Sequence, residues 1–246
     1  MQQMPTNAPI VESKPGPAGW LSVWSRAVTQ PSENTFIEIT EHPFAQSKTA
    51  FLWIFLAGTL SVLVSGLIQA ILLAAGVQAQ AIPGLEQFSG SGTGLVGGSL
   101  VSVLCGAPIA GIISVVLFAI GVAIIQWIAK MFGGTGTFEK LAYGVAAISV
   151  PVSLVTMLLT PFSMVPYLNI CTGLLSFGIG LYALYLEILA VKAINRFGWG
   201  AAIGSVLILP LTLFLCCCVV IGALALSGPA IGEIFSEINR SLQTAP

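Results

Sequence analysis

The sequence predicts an all-α polytopic membrane protein, a bundle of five transmembrane helices with short amphipathic flanking helices. Three observations predict it. Of 246 residues, 56% are hydrophobic and only 7% are charged, where soluble domains carry roughly a quarter. The mean hydropathy is +0.98. Five apolar stretches come close to or exceed the about 20 residues that cross about 30 Å of hydrocarbon.

The same composition excludes whole classes of function. Eight Lys and Arg face nine acidic residues, every one a Glu, and the only His is His42. Nucleic-acid binding lacks its basic surface, and metal-carboxylate and acid–base chemistry lack their reagents. No catalytic residue, cofactor or metal site is expected, and an enzyme is not predicted.

In chain order, residues 1–16 are too poor in apolar side chains to fold and read as a disordered leader. Residues 17–47 read as two amphipathic helices. In the first, Trp20, Leu21, Trp24 and Val28 share one face beside Arg26, which predicts a Trp-anchored helix lying along the cytoplasmic surface, with packing of the Trp side chains on the bundle as ordinary core the alternative. In the second, Pro31 sits at the first turn and Pro43 follows the last. Phe36, Ile37, Thr40 and Phe44 oppose Glu33, Glu38 and Glu41. His42 falls in the closing turn.

The spans are expected at about 50–76, 104–129, 141–159, 171–191 and 202–226, the third stopping at Thr160 and Pro161. The connection from Val77 to Val103 is rich in Gly and Ser and reads as a mobile polar loop; the others are short and force neighbouring helices to pack antiparallel. The first apolar run begins near residue 50 behind a polar leader, so that span is expected to act as an uncleaved insertion signal. Residues 227–246 carry Ile231, Ile234, Phe235, Ile238 and Leu242 at helical spacing. That outer tail either lies on the leaflet or extends the fifth helix.

Orientation follows from the cations, which are retained on the cytoplasmic side. Lys14, Arg26 and Lys48 precede the first span, Lys130 and Lys140 lie between the second and third, and Lys192 and Arg196 between the fourth and fifth. Only Arg240 falls on the other side. The N-terminus is therefore expected in the cytoplasm and the C-terminus outside.

Inside the spans, Glu187 is the one ionisable carboxylate, within about a turn of the cytoplasmic end. It reads either as an interfacial Glu tied to Lys192, Lys140 or Lys130, with Tyr182 and Tyr185 nearby, or as an ion-coupling group. Small residues recur every fourth position at Ala57, Ser61 and Ser65 and at Gly106, Ala110 and Ser114, rows that let helices approach closely. Pro151 and Pro210 stand mid-span. Cys216, Cys217 and Cys218 point about 100° apart on a helix and cannot converge on a metal. The run GGTGTF from Gly133 to Phe138 lacks the GK[ST] ending of a phosphate loop and reads as a flexible turn with Thr137 as N-cap of the third span.

Three segments together resemble the Yip family of five-span membrane proteins, named for interaction with Ypt/Rab GTPases, in its prokaryotic branch: Trp24 to Pro31, GGTGTFEKLAYGVAAISVP from Gly133 to Pro151, and KAINRFGWGAA from Lys192 to Ala202. The resemblance implies five helices, a cytoplasmic N-terminus and a role in membrane organisation or trafficking through protein partners, without catalytic residues. Where eukaryotic members carry a DLYGP-like segment, this chain has ITEHPFAQSK from Ile39 to Lys48. That departure argues against GTPase binding.

The leading expectation is a non-enzymatic integral membrane scaffold, in the cytoplasmic membrane if the chain is prokaryotic. Its partners are the lipid bilayer and other membrane proteins or a second copy. Its working face would be cytoplasmic, with Trp20, Trp24, Glu139, Lys140, Tyr143, Lys192 and Arg196 as interaction candidates. The alternative is a small transporter or channel subunit using Glu187.

Overall fold

The computed structural model describes residues 16–74, 94–163 and 167–243, and the described residues form seven helices and no strand. They are α1 (Pro17–Thr29), α2 (Glu33–Glu41), α3 (Ser47–Ala74), α4 (Gly94–Met131), α5 (Phe138–Ser163), α6 (Leu168–Asn195) and α7 (Trp199–Gln243). The last five are long and apolar enough to span a bilayer. The expected leader and most of the expected mobile loop lie outside the described residues, as do the side chains of the tail.

Local chemistry explains most of the boundaries. Pro17 occupies the first position of α1, where its missing N–H costs nothing. The second helix starts two residues beyond Pro31, because Ser32 caps it: its Oγ accepts the Thr35 N–H at 3.1 Å. The expected stop at Pro161 does not occur, and α5 runs through to Ser163. A proline inside a span removes one hydrogen bond without exposing the chain to water, so helix continuation is tolerated. Pro108 within α4 and Pro151 within α5 are further such cases. Of the two readings of the tail, continuation of the fifth helix is the one that matches α7, which runs unbroken to Gln243. At 45 residues it is about 68 Å long, more than twice the hydrocarbon thickness.

The spans pack in the ring order α3, α4, α7, α6, α5, with α5 also touching α4. Small residues set the closest approach. A Cβ on Gly58 would meet Ser114 Oγ at 2.7 Å, and one on Gly111 would meet Phe55 Cδ2 at 2.9 Å, so α3 and α4 touch where both lack bulk. Within the spans many Ser and Thr hydroxyls donate back to carbonyls a turn earlier, as Ser65 does to Ser61 and Ser114 to Ala110, whereas the buried Thr59 hydroxyl has no partner.

The core sits at one end. Buried side chains concentrate in Leu141 to Val150 of α5, Leu186 to Asn195 of α6, Ala50 to Ala57 of α3 and Val122 to Ala129 of α4. At that end α1 and α2 pack on α5 and α6, and α5 is enclosed on every side. Ala142, Gly144, Ala146 and Ala147 keep its profile thin enough for this. At the other end the surface is apolar and open: Leu174, Phe177, Phe214 and Val219 are about two-thirds exposed, which is the surface that faces lipid.

The flanking helices are built differently from the expectation. Trp20 and Trp24 face the bundle instead of the membrane surface, edge-on to Trp53 at 6.0 and 5.5 Å between ring centres. Trp53 in turn lies 4.9 Å from Tyr143. Leu21, assigned to the same face, points outward, and Ala27 is buried in its place. In α2 the buried set is Thr35, Phe36, Ile39 and Thr40, while Phe44 lies outside.

Candidate functional site

The enclosed end carries a surface made from α2, the loop between α4 and α5, the start of α5 and the end of α6. Its foundation is one buried amide. Asn195, the last residue of α6, is fully buried. Its Oδ1 accepts the Gly136 N–H at 3.2 Å and the Gln126 Nε2–H at 3.2 Å, and its Nδ2 donates to the Val191 carbonyl at 3.0 Å. Gln126 Nε2 also donates to the Gly136 carbonyl at 2.7 Å, and the Thr135 N–H reaches the Asn195 carbonyl at 3.2 Å.

The glycine run is therefore a fitted loop and not the flexible turn its composition suggests. A Cβ at Gly134 or Gly136 would stand 2.7 Å from Asn195 Oδ1, so only glycine admits the amide. Gly133 supplies the remaining turn with φ +85°, which only glycine adopts freely. Thr137 directly precedes α5, and its Oγ1 accepts the Lys140 N–H at 3.5 Å, a weak cap.

Charged side chains clamp α2 onto this base. Glu33 pairs with Lys192, whose ammonium also lies 4.3 Å from the centre of the Trp199 ring. Two turns on, Glu41 Oε1 accepts from Arg196 at 3.1 Å and stands 3.7 Å from Lys140. One turn before Glu41, Glu38 forms a two-pronged pair with Arg26 of α1 at 2.6 and 3.0 Å. Those hydrogen bonds from the guanidinium hold the Glu38 carboxyl below its usual range and raise Arg26. Each carboxylate of α2 is thus matched to a cation of another helix.

Arg196 occupies the left-handed position that ends α6, φ 54° and ψ 44°, a place normally given to glycine. A cleft of about 240 Å³ opens beside it, walled by Glu41, Thr135, Gly136, Thr137, Lys140 and Arg196 among others.

Of the expected interaction residues, Lys140 and Arg196 meet in this cleft, and Lys192 is locked beside it. Glu139 is exposed next to it. Trp20 and Trp24 are half-buried packing residues, and Tyr143 is only 5% exposed. Glu187 lies outside the cleft, and among the described residues it forms no ion pair, since Lys192 and Lys140 are taken by Glu33 and Glu41. The tyrosines expected beside it bond elsewhere: Tyr182 donates to the Val28 carbonyl at 2.6 Å, and Tyr185 stacks toward Trp199. Asn195 and the fit of the two glycines were missed by sequence reasoning, which marked Gln126 only as a neutral polar side chain within a span. An uncharged amide at the end of an apolar span, sixty residues from a Gly-Thr run, was their only signal.

Five apolar helices with lipid-facing flanks define an integral, multi-pass membrane protein. A family profile for the Yip1 domain matches residues 26–221, and the chain belongs to the Yip1 domain family. No curated protein and no solved structure matches it significantly.

Proposed function

We propose that this protein is a non-enzymatic membrane scaffold that organises membrane traffic or membrane structure through protein partners. Its enclosed end is the working face, turned to the cytoplasm with the N-terminus. The observation that carries the reading is the Yip1 match over residues 26–221. It is supported by the way buried amides, fitted glycines and cross-helix ion pairs all hold that one surface in shape, while large exposed apolar side chains such as Leu174, Phe177 and Phe214 mark the opposite end. A rigid surface loses less entropy on binding than a mobile one.

The test is site-specific photo-crosslinking in native membranes. Probes at Glu139 and at Gly198, both exposed at the enclosed end, should capture the same protein reproducibly; a probe at Leu174, at the lipid-facing end, should not. Capture patterns identical at all three positions would overturn the assignment.

A further inference from the structure

The cleft between α2 and the start of α5 has a chemistry of its own, separate from any protein contact. Two cations converge on it from different helices, Lys140 from α5 and Arg196 from the end of α6. Thr135 and Thr137 are exposed on its wall and contribute hydroxyls. The first turn of α5 adds the positive end of the helix dipole. Glu139 lies beside the cleft in that same turn, and of the residues lining the cleft itself only Glu41 is a carboxylate. Glu41 uses a single oxygen, Oε1, to serve both cations, at 3.1 and 3.7 Å, and its side chain is 47% exposed.

A lone, half-exposed carboxylate oxygen is a poor match for that donor set. Arg presents a planar fork suited to two oxygens at once, and Lys adds a point charge. A tetrahedral oxyanion offers enough oxygens to take the fork, the ammonium and a threonine hydroxyl together. We propose that this cleft is a binding site for a phosphate-class anion, with Glu41 as the internal stand-in that such an anion displaces. The main-chain base is already held by Asn195 through Gly136, so little ordering is required on binding. Two sources present this chemistry, a phospholipid headgroup at the membrane surface and free phosphate. The proposal does not depend on the partner-binding role.

The full chain in detergent tests it. Thermal unfolding is followed against inorganic phosphate, with sodium chloride at matched ionic strength as control, and then in nanodiscs of phosphatidylcholine with or without phosphatidic acid. Phosphate or phosphatidic acid should raise the melting temperature above its control. A rise with inorganic phosphate identifies the free anion as sufficient, and a rise confined to phosphatidic acid identifies the headgroup. Lys140→Gln with Arg196→Gln should weaken the apparent affinity by about tenfold or more, the scale of a lost charge-assisted hydrogen bond. Glu41→Gln keeps both cations and removes the competitor, so it should bind more tightly than the parent. The proposal is overturned if neither ligand exceeds its control, if the double variant binds as the parent does, or if Glu41→Gln binds no better.

Discussion

The side-chain carbonyl of Asn195, at the end of α6, accepts the backbone N–H of Gly136 from the loop that enters α5, at 3.2 Å in a fully buried setting. This bond ties together two segments 59 residues apart in the chain. Both cations of the cleft adjoin it: Lys140 follows four residues after Gly136, and Arg196 follows directly after Asn195.

Asn195→Ala leaves Gly136 N–H and Gln126 Nε2 without their shared acceptor. The expected loss is about 2–3 kcal/mol, the cost of stranding buried donors. Gly136→Ala should fall in the same range by steric conflict, whereas Gly198→Ala, with open space around it, should change stability by less than about 0.5 kcal/mol. Thermal unfolding in detergent measures all three, and equal effects for Gly136 and Gly198 would contradict the fitted-loop account.

Trp53 is 1% exposed and carries the indoles of α1 on one side and Tyr143 on the other. Trp53→Ala should cost about 3–5 kcal/mol. It should also release α1, read as faster proteolysis between residues 17 and 29. Leu21→Ala, on the outward side of the same helix, should leave both readouts unchanged.

Gly111 admits Phe55 and Thr59 where α3 crosses α4, and Gly121 faces open space. Gly111→Ala should lower the melting temperature, since overpacking costs about 1–3 kcal/mol. Gly121→Ala should leave it level or higher. The reverse order would mean that the two helices do not touch there.

Arg26 lowers the Glu38 carboxyl pKa, so the unfolded chain binds more protons than the folded one in the acid range. The pair therefore contributes fully above the unfolded value of about 4.3 and is lost as pH falls through the lower folded value. With side chains 32% and 57% exposed, solvent limits the contribution to about 0.2–1 kcal/mol. The stability gap between parent and Glu38→Gln should narrow between about pH 5 and pH 3. A gap that stays constant over that interval would show the pair to be inert.

If each of the five apolar helices crosses the membrane once, residues before α3 and residues late in α7 fall on opposite sides. A reporter fused at the N-terminus should be shielded in intact cells and one at the C-terminus accessible, the orientation that puts seven of eight cations inside. Both reporters in one compartment would refute it.

Composition alone was enough to establish a five-helix membrane protein, because length and apolarity of a span are read residue by residue against a fixed bilayer thickness. The cations and carboxylates of the enclosed end could also be named from the sequence, since charge is scarce in this chain. What pairs with what could not. Glu33, Glu38 and Glu41 look like one solvent-facing stripe, yet the fold gives them to three different helices. The two tryptophans of α1 match an interfacial anchor in pattern, and only the placement of Trp53 turns them inward. The glycine run looks flexible because glycine frees the backbone, and it is rigid because an asparagine from another helix fills the space that a Cβ would take. Local pattern reports what a segment prefers by itself; contacts between segments far apart in the chain decide which face is buried, and those arise only when the helices are packed.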